Sequence, residues 1–372
     1  MTPRPYGDST RSVKAVSCPA SPGLPVAPSP VLAATYHLSA EESAGDAAVP
    51  DTYGRSSNPG WRQLESALAQ LEGAESALAF GSGMAAITAA LRVLTTPGSV
   101  LVMPADGYHQ VRGYARDSLA PLGVRVVEAD SAHICEAAAA ADVVLAETPT
   151  NPRLDVVDLH RLAQVCRQRR ARLLVDNTAA TPFGQQPLSL GADLVVASAT
   201  KGLSGHSDVL AGYVAGSRPD LMAAVERERL LSGAILGGFE TWLVLRSLGS
   251  AGLRVGRQCD NAYALATMLR DHPAVNAVRY PGLPDDPAYP LAAAQMRRFG
   301  GLVAVQLADA AAVHSLVQRS DLLTAATSFG GMHTSVDHRA RWGDAVPPGF
   351  ARIALGIEDT DDVLTDFARA LG

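Results

Sequence analysis

Two stretches decide the fold: Arg172-Leu-Leu-Val-Asp176-Asn-Thr178 and Asp193-Leu-Val-Val-Ala-Ser198-Ala-Thr200-Lys201. Each is a continuous aliphatic run that breaks abruptly into polar residues. Unbroken Val/Leu runs, as opposed to alternation, belong to strands buried on both faces. The reading gives strands at 172–176 and 193–197, and similar runs stand at 99–103, 124–128, 142–146 and 209–214. Helical stretches near 110–120, 132–141 and 157–170 separate the first four. Strands alternating with helices predict an α/β fold with a mostly parallel sheet covered on both sides.

Upstream, Trp61, Leu64, Leu68 and Leu71 share one helical face and Gly73 ends that helix, while a second helix runs from after Gly83 to Leu94. Residues 1 to about 35 are Pro-rich without periodicity, which reads as an extended arm lying on something else, such as a partner subunit. Downstream, a long helical region over 219–272 carries breaks at Gly233, Gly237 and Gly249. The tail mixes strands at 275–280, 301–307 and 351–356 with helices near 288–298, 309–318 and 360–371. The expected organisation is an arm over 1–58, a large α/β domain over 59–250 and a smaller α+β domain over 251–372.

Composition narrows the function. The chain has 372 residues, 47% hydrophobic and 18% charged, which are globular values. A net charge of −6 offers no basic surface to nucleic acid. Gly, Pro or a charge breaks every apolar run before it could cross a bilayer, so no membrane contact is expected. Cys18, Cys135, Cys166 and Cys259 form no C-x-x-C pair, which fits a reduced, cytoplasmic setting without structural zinc. His333 and His338 have no third ligand beside them, and no metal is expected. Of 31 basic side chains only Lys14 and Lys201 are lysines. Lysine can lose its proton or become an imine and arginine cannot, so a lone interior lysine in an Arg-rich chain is a candidate for chemistry.

In open parallel sheets ligands sit beyond the carboxyl ends of the strands. Those ends read Glu147-Thr-Pro-Thr-Asn151-Pro, Asp176-Asn-Thr178 and Ser198-Ala-Thr200-Lys201-Gly202. Gly81-Ser82-Gly83-Met84 opens a helix, where unpaired N–H groups suit a phosphate, although ordinary helix caps look the same. Ser198 and Thr200 could add hydroxyl donors. Asp176 could cap the next element or hold a pyridinium nitrogen. An amine, a carboxylate and a phosphate cup together answer the needs of pyridoxal 5′-phosphate (PLP).

At these residues the sequence resembles the Cys/Met-metabolism PLP enzymes, among them cystathionine γ-synthase, cystathionine γ- and β-lyase and methionine γ-lyase. The motifs are Tyr53-Gly-Arg55-Ser-Ser-Asn-Pro59, Gly81-Ser-Gly-Met84-Ala-Ala, Thr148-Pro-Thr-Asn151-Pro, Asp176-Asn-Thr178 and Ser198-Ala-Thr-Lys201-Gly-Leu-Ser-Gly-His-Ser-Asp208. Ser328-Phe-Gly-Gly331 and Arg352-Ile-Ala-Leu-Gly-Ile-Glu-Asp359 complete the set in the family's order.

The resemblance implies a fold-type-I, aspartate-aminotransferase-like large domain with a seven-stranded sheet. It implies that Lys201 is the Schiff-base lysine and proton shuttle and that Asp176 partners the pyridine nitrogen. Asn151 is implied near the cofactor's phenolic oxygen or the substrate. Ser82, Gly83, Met84, Ser198 and Thr200 match the phosphate cup, and Tyr108 the ring that stacks on PLP and assists acid–base steps. Ser328 and Arg352 match the substrate carboxylate clamp. Tyr53 and Arg55 match residues that reach the neighbouring subunit's cofactor, so the implied assembly is a homo-oligomer with shared active sites, a dimer within a tetramer.

Departures fall at the substrate end. His109 and Gln110 stand where small residues are usual, Thr327 replaces the Glu of γ-synthases and many γ-lyases, and Met332-His333-Thr-Ser335 replaces Val-Glu-Ser-Leu. The expected activity is elimination or replacement at the γ carbon of an amino acid, with a γ-lyase acting on a short, uncharged γ-substituent favoured. A cystathionine γ-synthase-type transferase, a β-lyase and a PLP aminotransferase are the alternatives. Thr327, His109 and Gln110 are the expected readers of the substrate side chain, with His333 a further candidate.

Overall fold

The computed structural model describes residues 6–38, 51–342 and 344–372. Seven strands form one sheet: β1 (Ser76–Phe80), β2 (Val100–Pro104), β3 (Arg125–Ala129), β4 (Val143–Glu147), β5 (Arg172–Asp176), β6 (Leu194–Ala197) and β7 (Gly212–Gly216). Their order is β1-β7-β6-β5-β4-β2-β3. β2 to β6 pair in parallel, and β7 runs antiparallel to both β6 and β1.

The period-two geometry of a strand explains the unbroken aliphatic runs, because both faces are covered. In β5, Leu173 and Val175 pack with Val144 and Leu162 on one side, while Leu174 packs with Ile87, Leu91 and Val225 on the other. Each such side chain removed from water contributes roughly 1.5–3 kcal/mol, which makes the sheet centre the most strongly fixed part of the chain. The helix Pro59–Glu72 buries Trp61, Leu64, Leu68 and Leu71, and ends where Gly73 adopts a left-handed φ of 69°. At its last turn the buried Glu72 accepts a 2.5 Å hydrogen bond from the Tyr213 hydroxyl and a weaker one from Asn177.

A second sheet of five strands follows: β8 (Ala277–Arg279), β9 (Leu302–Gln306), β10 (Thr324–Ala325), β11 (Ser335–His338) and β12 (Phe350–Ala354), in the order β10-β11-β12-β9-β8. Val303, Val305 and Ile353 pack there with Leu265 and Phe367 from the helices Ala251–Arg270 and Thr360–Leu371. The boundary expected at residue 250 falls in the turn between the helices Gly238–Leu248 and Ala251–Arg270.

Three differences from the sequence reading have physical causes. β1, β10 and β11 were not legible, since Ser76-Ala-Leu-Ala-Phe80 and the two short edge segments carry weak strand signals. The strand expected at 209–214 starts only at Gly212, because the backbone of Ala211 is taken up by the Thr200 hydroxyl. The arm is not extended throughout. Asp8–Ala15 is helical and packs on this chain's own helix Ala251–Arg270, with Asp8 paired to Arg298 at 2.9 Å and Arg11 donating to the Leu71 carbonyl. The arm's residues 1–5 and 39–50 lie outside the described residues. Among the described residues no helix is long and apolar enough to cross a membrane, and the four cysteines are free.

Candidate active site

The carboxyl ends of β4, β5 and β6 open into a cavity of about 310 Å³. It collects Ser82, Gly83, Met84, Tyr108, Asn151, Asp176, Ser198, Thr200, Lys201, Thr327, Ser328 and Arg352, twelve of the residues singled out from the sequence.

At one end the helix Gly83–Leu94 begins with Ser82 as its cap, whose hydroxyl accepts the Ala85 N–H at 3.0 Å. The N–H groups of Gly83 and Met84 precede the first intrahelical bond. A Cβ on Gly83 would lie 2.7 Å from the Ser198 Cβ, so only glycine lets this helix start pack against the end of β6. Thr200 lines the cavity, but its hydroxyl donates to the Ala211 carbonyl at 3.1 Å and accepts the Ala211 N–H at 2.9 Å. The same hydroxyl thereby ties the end of β6 to the segment before β7.

Asp176 ends β5 with Oδ1 accepting the Thr178 N–H at 2.9 Å and hydroxyl at 2.5 Å. Burial pushes its pKa up, while the Thr178 bonds and the charge of Lys201 draw it down. Lys201 donates from Nζ to the Ser328 Oγ at 2.7 Å and stands 5.3 Å from the centre of the Phe329 ring. Burial, with the nearby Arg352 charge, lowers its pKa from 10.5 to about 8. The turn after Lys201 is held by Arg254, which donates to the carbonyls of Gly202 (3.0 Å) and Leu203 (2.9 Å). A Cβ at Gly205 would fall 1.7 Å from an Arg254 nitrogen, which explains the glycine there.

Arg352 of β12 is 2% exposed and enters from the second sheet. It donates to the Ser328 carbonyl at 2.7 Å, to Asp337 Oδ2 at 3.3 Å and to the Asn151 side-chain oxygen. Its Nε is buried with no hydrogen-bond partner among the described residues. Burial, then repulsion from Arg339, lowers its pKa to about 10. Asp337 of β11 stands directly opposite Arg352 of β12 and also receives Arg339 and the Trp342 indole N–H, each at 2.8 Å. Burial alone would raise the Asp337 carboxyl, but these donors hold it below the usual range.

Glu147 was quoted in the sequence without a role. It ends β4 in register with Asp176 and is 8% exposed. Oε2 accepts the Tyr108 N–H at 2.7 Å and Oε1 the Asn151 N–H at 2.9 Å. Burial and the Asp176 charge push its pKa up to about 8 against those two bonds. The signal was present, since two neighbouring strands each end in an acid. Arg254, Asp337 and Arg339 carried no such signal; only the tertiary fold brings them to the site.

Four expected residues are not among those lining the cavity. Tyr108 is a lining residue, but His109 and Gln110 begin the helix that follows it and bond each other at 3.0 Å, while the His109 ring meets the Tyr108 ring edge-on at 5.1 Å. Neither of these two side chains lines the cavity. Tyr53 is exposed and stacks loosely with Arg55, whose guanidinium donates to the Leu230 carbonyl at 3.0 Å. Thr327, Ser328, Phe329, Thr200 and Leu210 also border a second, outer cavity of about 660 Å³, to which Asp208 and His333 belong. Among the described residues no cluster of three potential metal ligands occurs.

Residues 10–372 match the family described as Cys/Met metabolism PLP-dependent enzyme. A Streptomyces coelicolor protein provisionally named cystathionine gamma-lyase is 44% identical over 98% of this chain and 93% of its own. A cystathionine gamma-synthase from Mycobacterium bovis is 37% identical over 86% of each chain. The crystal structure of apo CalE6, a methionine gamma lyase from Micromonospora echinospora, superposes with a TM-score of 0.91, 38% identity and 99% of each chain covered.

Proposed function

This chain belongs to the Cys/Met-metabolism PLP-dependent enzyme family, and from that premise we propose that it acts at the γ carbon of an α-amino acid, by elimination first and replacement second. It is a PLP-dependent carbon–sulfur lyase or γ-replacement enzyme, and the residues of the cavity fit the cofactor. Gly83, where a side chain would fill the space against Ser198, makes a cradle for a phosphate at a helix start. Asp176 at the inner end suits a protonated ring nitrogen, Tyr108 presents a ring, and Lys201 supplies the amine. The unpartnered Nε of Arg352 suits a further acceptor such as a substrate carboxylate.

In this reading Ser82, Gly83, Met84 and Ser198 hold the phosphate, Asp176 the ring nitrogen, and Lys201 the cofactor itself. PLP bound there supplies an electron sink for the pair left when the substrate Cα loses its proton. Lys201 Nζ takes that proton, and its lowered pKa favours the neutral, proton-accepting amine. Arg352 and Ser328 hold the α-carboxylate and so fix which Cα bond faces Lys201. Tyr108 donates a proton to the departing γ-substituent. Phe329 covers the amine and limits water around it.

The observation that carries γ chemistry on an uncharged substituent is the uncharged outer wall shared by the two cavities: Leu210, Thr327, Ser328 and Phe329. The outer cavity also favours the second reading, since it offers room for an incoming thiol next to the reacting carbon. Tyr53 and Arg55, which do not line this chain's own cavity, are proposed to complete the site of a second copy in a dimer within a tetramer.

The test is incubation of the holoenzyme with γ-substituted amino acids, with and without thiols, read by mass spectrometry. A 2-oxo acid and ammonia establish elimination, and a new thioether establishes replacement. Formation of pyridoxamine phosphate with transfer to a 2-oxo acid would overturn the reading in favour of an aminotransferase.

A further inference from the structure

We propose that Glu147 is a positioning residue that sets the Tyr108 ring and the Asn151 amide relative to each other across the cavity. The inference rests on the reading of this cavity as the cofactor and substrate site.

The loop after β2 carries Tyr108 and the loop after β4 carries Asn151; neither is fixed by the sheet ladder itself. One carboxylate joins them. Its Oε2 takes the Tyr108 N–H at 2.7 Å and its Oε1 takes the Asn151 N–H at 2.9 Å. The loops are shaped around the acid. A Cβ at Gly107 would stand 2.8 Å from Oε2 and 2.7 Å from the Pro104 Cγ, so the carboxylate occupies the space a side chain there would need. Asn151 passes the constraint on, because its side-chain oxygen accepts from Arg352. One acid thereby ties the residue proposed to face the cofactor ring to the guanidinium proposed to hold the substrate carboxylate.

Packing alone does not account for an acid here. Glu147 pairs in register with Asp176, so two buried carboxyls stand on adjacent strand ends, an arrangement that costs free energy. The cost shows in the Glu147 pKa, raised to about 8 by burial and Asp176. A neutral amide of the same shape would avoid that cost but would turn an NH₂ toward one of the two N–H donors. Only a carboxyl offers an oxygen to both.

The experiment compares full-length wild type, Glu147→Gln and Gly107→Ala, the second variant displacing the carboxylate without removing it. Readouts are PLP content by visible absorbance, circular dichroism of the bound cofactor, apoprotein melting temperature, and kcat and KM for the best γ-substituted substrate. Glu147→Gln is expected to keep PLP and its melting temperature, to change the cofactor's dichroism, and to lower kcat/KM by roughly tenfold to a hundredfold, the scale of one buried N–H donor left without its acceptor. Gly107→Ala is expected to change the dichroism in the same sense. Unchanged dichroism and kcat/KM in Glu147→Gln, beside an active wild type, overturn this inference alone. A variant that loses PLP and melting temperature together makes the residue merely structural and overturns it too. A wild type that takes up no PLP overturns the parent reading along with it.

Discussion

Lys201 Nζ donates a 2.7 Å hydrogen bond to the Oγ of Ser328, a residue 127 positions further along the chain. Lys201 follows β6 of the large sheet; Ser328 precedes β11 of the second. Ser328 holds a left-handed φ of 78°, and a Cβ on Gly330 would sit 2.5 Å from the Gly202 nitrogen. The loops that follow β6 and precede β11 therefore meet backbone to backbone beside the one interior lysine, which is partly buried there.

That burial has a pH signature. Lys201 is depressed from 10.5 to about 8, so the folded protein favours its neutral form. The cost of burying the charged amine is present below about pH 8 and is relieved as pH rises toward 10.5, where the unfolded chain's lysine also loses its proton. Only the neutral amine bonds to PLP. The rate of PLP incorporation into apoprotein is expected to climb about tenfold per pH unit and level off near pH 8. Stopped-flow absorbance checks it, with borohydride trapping to place the label. A plateau near 10.5, or label on Lys14, overturns the assignment.

Glu72 gives a stability prediction away from the cavity. Burial raises its pKa to about 7, against bonds from Tyr213 and Asn177. A raised carboxyl stabilises the fold while protonated, and that contribution disappears as pH climbs from about 4.5 through 7. Glu72→Gln, which stays neutral, is expected to be more stable than wild type at pH 8 by about 3 kcal/mol and to lose that advantage at pH 4.5. Denaturant melts at the two pH values decide it; an equal difference at both would show that the effect is packing.

Much of this molecule was legible because its sheet is buried on both faces. Six of the seven strands announce themselves as aliphatic runs, with helices between the first four, and Asp176, Ser198 and Lys201 stand directly at strand ends. Lys201 was doubly marked by lysine scarcity. What escaped was whatever tertiary contact creates. Arg254 looks like any helical arginine until its guanidinium is seen on the carbonyls after Lys201. Asp337 becomes part of the site only through cross-strand pairing with Arg352. His109 and Gln110 adjoin Tyr108 in sequence but do not line the cavity with it, because a helix begins directly after the tyrosine.

Tyr53 and Arg55 test the assembly. Arg55 binds the Leu230 carbonyl beside Glu226 and Arg227 and does not line this chain's cavity. If these side chains serve a second copy, mixing Arg55→Ala with Lys201→Ala subunits creates hybrid sites in which both residues are intact. Activity is expected to return to about a quarter of wild type, the share of such sites for random pairing of subunits in a homo-oligomer. Subunit exchange demonstrated by mass spectrometry without any return of activity would refute sharing.

Specificity is the remaining question, and the geometry concentrates it on Thr327. His109 and Gln110 do not line the cavity, so His109→Gly is expected to leave the substrate ratio within about twofold, the scale of a change without a lost contact. Thr327 borders both cavities beside Leu210 and Phe329, the wall proposed to face the γ-substituent. With no carboxylate at 327, the distal ammonium of cystathionine lacks a charged partner at that wall; Asp208 lies farther out, in the second cavity. An uncharged analogue such as an O-acylhomoserine or methionine loses nothing there. A charge-assisted contact is worth roughly 1.5–3 kcal/mol, so kcat/KM is expected to favour the uncharged substrate by at least about tenfold. Thr327→Glu should move the ratio toward cystathionine by a similar factor, chiefly through KM, because the new contact forms in the ground state as well as the transition state. A wild type that prefers cystathionine would mean that Asp208 reaches inward to the ammonium, and Asp208→Asn would then lower that preference where Thr327→Glu had failed to raise it.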